Sequence, residues 1–72
     1  MINAIIKDNL PYCTKCNNKI DGGIVEYNLV ESNGEKFLAY DSKCGHCREI
    51  HRYYTDMQFD KRYILDNVQI IR

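Results

Sequence analysis

Most of what would mark an enzyme is missing from these 72 residues. The chain holds no nucleophile–base pair, no phosphate-cradling glycine loop and no metal-hydrolase motif, so a non-catalytic role is expected. No apolar run approaches the roughly 20 residues that a membrane span needs. Met1 to Leu10 carries Asn3, Lys7 and Asp8 among its apolar positions, which gives no secretory h-region, and a cytoplasmic location is the expectation. Repeats, low-complexity tracts and internal linkers are absent, which leaves one domain over residues 1–72.

An excess of charge is also missing. Ten basic residues balance ten acidic ones, a poor composition for a protein whose main task is to neutralise phosphates. Bulk is lacking too. A chain this short buries only about 60% of the surface its unfolded form exposes, and a staple is expected to supplement so small a core.

The cysteines supply the candidate staple. Cys13-Thr14-Lys15-Cys16 and Cys44-Gly45-His46-Cys47 form two C-x-x-C pairs separated by 27 residues. Two intervening residues let a tight turn aim both sulfurs at one point about 2.3 Å away, which suits a tetrahedral zinc ion. In a reducing compartment paired cysteines are metal ligands more often than disulfides. The expected ligands are therefore Cys13, Cys16, Cys44 and Cys47, around one structural Zn²⁺. Four sulfurs complete such a site, so His46 and His51 are read as surface or half-buried side chains outside the ligand set.

Two rivals use the same cysteines. Two disulfides are possible in three pairings. Cys44-Gly45-His46-Cys47 also matches the active-site tetrapeptide of protein disulfide isomerases, which points to thiol–disulfide chemistry. That reading needs a helix starting within the motif, whereas Glu49 to Thr55 reads as a strand.

Elsewhere the pattern is β throughout. Asn3 to Lys7 reads as a short strand, broken by Asn9-Leu10-Pro11. Ile24 to Val30 is rich in β-branched and aromatic residues, with Val25, Tyr27 and Leu29 expected on the buried face. Asn33-Gly34 is the strongest hairpin signal in the chain. Lys36 to Ser42 returns as a strand with Phe37, Ala39 and Asp41 on one face. Asp56 to Arg62 reads as a loop, and Tyr63 to Ile71 as a strand or a helical turn followed by a strand.

The order of turn, hairpin, turn and strand resembles the zinc ribbon from Cys13 to about Thr55. Ribbon turns often carry glycine after the second cysteine, where this chain has Asn17 and Arg48. The resemblance implies an all-β fold: a three-stranded antiparallel sheet over residues 12–55, with terminal segments 1–11 and 56–72 packed on it. It also implies a protein-binding adaptor or regulator in transcription or other nucleic-acid machinery.

The expected partner-binding residues are Glu31, Asn33 and Glu35 around the hairpin tip, with Tyr53 and Tyr54. Ribbons of the transcription elongation factor type insert an acidic hairpin into RNA polymerase; this tip shares the acidic flavour but not an adjacent Asp-Glu pair. The alternative is direct nucleic-acid binding through Lys43, Arg48 and Arg52, with the tyrosines stacking on bases. Those cations also serve to offset the metal centre, since four thiolates and a divalent ion bring the loaded protein to about −2. A free edge strand leaves the oligomeric state open.

Overall fold

The computed structural model describes residues 2–71. Eight strands follow one another: β1 (Ile2–Asn3), β2 (Ile5–Lys7), β3 (Leu10–Tyr12), β4 (Ile24–Ser32), β5 (Glu35–Lys43), β6 (Ile50–Asp56), β7 (Arg62–Tyr63) and β8 (Gln69–Ile70). The fold is all-β, and no helix occurs among the described residues. None is therefore long and apolar enough to cross a membrane.

Antiparallel β4, β5 and β6 form the expected three-stranded centre. The terminal segments extend it into a six-stranded sheet ordered β1-β6-β5-β4-β8, with β7 also on β6. Since β5 occupies one edge of β6, the other edge takes β1 in parallel at its start and β7 in antiparallel at its end. The last apolar stretch is thus two short strands, with no helical turn.

Asn33 and Gly34 both have positive φ, 52° and 81°, the conformation a two-residue hairpin turn requires. The same device recurs at Asp8 and Asn9, with φ of 50° and 63°. It makes β2 and β3 a second hairpin, where a break at Pro11 was expected. Lys7 and Leu10 close that turn, which leaves Ile6 and Pro11 as the next facing pair. Facing pairs alternate in bonding, so Pro11 falls where no ladder N–H is needed.

The buried face of β4 is the opposite of the one expected. Val30 is 1% exposed, while Val25 and Tyr27 are 54% and 68% exposed. The register explains this: Val30 faces Phe37 and Asn28 faces Ala39, and facing residues in an antiparallel pair share a side of the sheet. Phe37, Ala39 and Asp41 share one face of β5 as the sequence pattern has them, that face is the buried one, and it dictates the side of β4. A bulge at Val25 shifts the register at the start of the strand.

Two separate apolar clusters result. Val30, Phe37, Ala39 and Tyr54 pack with Tyr63, Leu65 and Val68 near the hairpin. At the far end, Ala4, Cys13, Ile20 and Cys44 pack with Cys16, Cys47 and Tyr53. The second cluster is assembled around the cysteines.

Candidate metal centre

All four cysteines are free, and their sulfurs lie within 4.8 Å of one another. A tetrahedron with metal–sulfur bonds of 2.3 Å has edges of about 3.8 Å. Two close approaches run between the turns, Cys13 to Cys47 at 3.4 Å and Cys16 to Cys44 at 3.5 Å. Cys13 and Cys44 are fully buried, and Cys16 and Cys47 are half-buried.

The turns are near copies. In the first, the Cys13 amide donates to Asn18 O at 2.9 Å and the Asn17 amide to Cys13 O at 3.1 Å. In the second, the Cys44 amide donates to Glu49 O at 3.0 Å and the Arg48 amide to Cys44 O at 2.9 Å. Asn17 and Arg48 hold φ of 61° and 62°, the left-handed region that glycine enters more readily. Asparagine tolerates this conformation well and arginine less so, yet the geometry is reproduced at both. The Lys15 amide points at Cys13 Sγ from 3.3 Å, an outer-shell donor of the sort that steadies thiolates.

Gly22 locks the second turn in place. Its amide donates to Lys43 O at 2.7 Å, and a Cβ there would collide with that same carbonyl. Gly45 does not have positive φ, so the turn makes no use of glycine's extra backbone freedom there. What it provides is room, since a Cβ would stand 2.8 Å from the Asp21 carboxylate.

Electrostatics favours a cation between the sulfurs. The Cys16 thiol is lowered to about 6 by the Asn18 backbone N–H and then by the Asn18 side chain. For Cys47 the Glu49 backbone N–H pulls downward, but the Cys13 sulfur, burial and the Cys44 and Cys16 sulfurs outweigh it and push the thiol up to about 12. Thiolates packed this closely repel one another, and a positive charge between them relieves that repulsion. The donor set fits a metal ion that prefers sulfur.

The other expected site residues are dispersed. Asn33 and Glu35 are exposed at the hairpin tip, and Glu31 is half-buried. Tyr53 and Tyr54 point to opposite faces, and neither is fully exposed: Tyr54 is 4% exposed within the core and is withdrawn from any surface role. Tyr53 continues a row with Tyr40 and Tyr27 across three strands, at centroid spacings of 5.8 and 6.4 Å. Of the three basic residues, Arg48 is exposed, Lys43 is half-buried and Arg52 is bound to Asp41 through two bonds of 2.7 and 3.0 Å. Lys15 is paired with Glu49 at 3.0 Å, tying one turn to the other.

His46 is exposed, and His51 is fully buried beneath the first turn rather than at the surface or half-buried. Neither belongs to the four-sulfur cluster. Beyond Arg48 the chain enters β6, so the helix required for thioredoxin-type use of Cys44 and Cys47 is absent among the described residues.

The sequence pattern gave no warning of the recess on the sheet face. Ile24, Tyr27, Leu38, Tyr40 and Phe59 line a hollow of about 390 Å³. Phe59 stands at its rim, 53% exposed and with φ of 63°, an uncommon conformation for a bulky residue. Comparison with known proteins gave no match to a family model, a curated protein or a solved structure.

Proposed function

We propose that this chain is a non-catalytic zinc-binding interaction module that offers a small rigid β scaffold to a protein partner. The observation that carries the reading is the closed set of four convergent sulfurs at Cys13, Cys16, Cys44 and Cys47. Tetrahedral thiolate sites favour Zn²⁺, and a site with four protein ligands has no open position for substrate. The ion then serves as part of the interior.

A protein partner is favoured by the recess at Ile24, Tyr27, Leu38, Tyr40 and Phe59, since exposed apolar hollows suit side chains better than a polyanion. Direct nucleic-acid binding is disfavoured because Arg52 is engaged by Asp41 and Lys15 by Glu49. A role as adaptor or regulator in transcription or other nucleic-acid machinery rests on the zinc-ribbon resemblance alone.

Elemental analysis of freshly purified protein should return one zinc per chain. In a mobility-shift assay at low salt the protein should leave single- and double-stranded nucleic acid unshifted while still capturing a protein from host extract. A salt-sensitive shift weakened by Arg48→Ala would favour the nucleic-acid reading instead.

A further inference from the structure

His51 is the largest fully buried side chain among the described residues. It sits on β6, facing Ser42 of β5 on one side and Ile2 of β1 on the other. Its Nε2 lies 3.2 Å from the Thr14 amide nitrogen and 3.0 Å from Thr14 Oγ1. Thr14 directly follows Cys13, so this contact joins the floor of the sheet to the middle of the first turn across 37 residues of sequence.

An amide N–H can only donate, so Nε2 must be the bare nitrogen and the ring proton belongs on Nδ1. Nδ1 is buried with no hydrogen-bond partner among the described residues. Burying an unpaired N–H is unfavourable, and an aliphatic side chain would fill this space without that cost. What an aliphatic group cannot do is accept from Thr14. The bond fixes the Cys13–Thr14 peptide plane, and the next amide, Lys15 N–H, is thereby aimed at Cys13 Sγ at 3.3 Å.

We propose that His51 is a positioning residue for the metal: it sets the first cysteine turn through Thr14 without ligating the ion. This rests on the zinc reading above. Outer-shell partners of this sort typically change metal affinity by about 10–100-fold.

The test uses the full chain loaded with Zn²⁺ or Co²⁺. Chelator competition should give His51→Leu about tenfold weaker binding. His51→Gln, whose amide oxygen can take the place of Nε2, should recover most of the loss. Cobalt-loaded wild type and both variants should share one tetrathiolate absorption spectrum, because the ligands are unchanged. In zinc-loaded wild type, long-range proton–nitrogen NMR should find the His51 ring proton on Nδ1, a readout that survives even if His51→Leu fails to fold.

A ring proton on Nε2, equal affinity of wild type and His51→Leu, or an altered cobalt spectrum in His51→Gln would each overturn the inference. Wild-type protein that takes up neither metal would overturn the zinc reading, and this inference with it.

Discussion

Asp41 and Arg52 face each other across β5 and β6, and the guanidinium grips the carboxylate with both arms, Nε to Oδ1 at 2.7 Å and Nη2 to Oδ2 at 3.0 Å. The Asp41 side chain is 3% exposed and that of Arg52 is 24%. Arg52 belongs to the alternative, nucleic-acid reading of the sequence, and its guanidinium is held here by Asp41.

Arg52→Ala should therefore destabilise the fold by about 3 kcal/mol, because it strands a buried carboxylate. Urea denaturation of the zinc-loaded protein measures this as a lower midpoint with unchanged slope. A midpoint within error of wild type would mean that Asp41 reaches solvent when its partner is gone. One practical consequence follows: weakened nucleic-acid binding by Arg52→Ala would report lost folding, whereas exposed Arg48 gives a clean test.

Metal removal should act unevenly. One cluster is built from Ala4, Cys13, Ile20 and Cys44, the other from Val30, Phe37, Ala39 and Tyr54. Structural zinc contributes about 10–16 kcal/mol of apparent binding energy in finger peptides, and an ion held by the four sulfurs would bring its energy to the cysteine cluster. A strong chelator should expose the amides of Cys13, Asn17, Cys44 and Arg48 to hydrogen exchange first. Those of Val30 and Phe37 should keep the most protection. Identical loss at both ends would show a single cooperative unit, and unchanged exchange would mean that the ion is not a staple.

Two glycines should separate by mechanism. Gly22→Ala forces a methyl onto the Lys43 carbonyl at the root of the second turn, an overpacking expected to cost about 2 kcal/mol. It should also weaken metal binding, because Lys43 adjoins Cys44. Gly34→Ala meets nothing within 4 Å but sits at φ 81°, a conformational penalty of about 1 kcal/mol. Its metal affinity should be unchanged. Equal effects on chelator competition would contradict the separation.

The parts of this fold legible in the sequence are those set by local chemistry. Asn33-Gly34 announces its hairpin because both residues accept positive φ, and the C-x-x-C spacing announces convergent sulfurs. Asp8-Asn9 carries the same turn signal less plainly, and it was masked by Pro11, whose missing donor matters only in a bonded position. The buried face of β4 was misjudged because its own alternation is ambiguous. Register with Phe37 and Ala39 decided it, and that is a tertiary fact. His51 and Arg52 likewise take their roles from residues 37 and 11 positions away in sequence. No window of sequence around either residue contains its partner's answer.

Thiol reactivity in the metal-free protein gives the last prediction. Cys16, lowered to about 6, is mainly thiolate at neutral pH, whereas Cys47, pushed up to about 12, keeps its proton. Thiolate is the reactive form, and both sulfurs are half-buried, so protonation rather than access should decide the order. Limited alkylation near pH 7, mapped by mass spectrometry, should label Cys16 first and Cys47 late. As the pH falls through 6, Cys16 takes up its proton and its advantage should fade. The folded value lies below the unbound thiol's 9.0, so ionised Cys16 favours the metal-free fold above about pH 9, and that contribution diminishes until it is lost near pH 6. Zinc should protect all four cysteines, since bound thiolates are no longer free nucleophiles. If labelling instead falls evenly on Cys16 and Cys47 in the metal-free protein, the four sulfurs are not held together without the ion, and the turns are organised only when it binds.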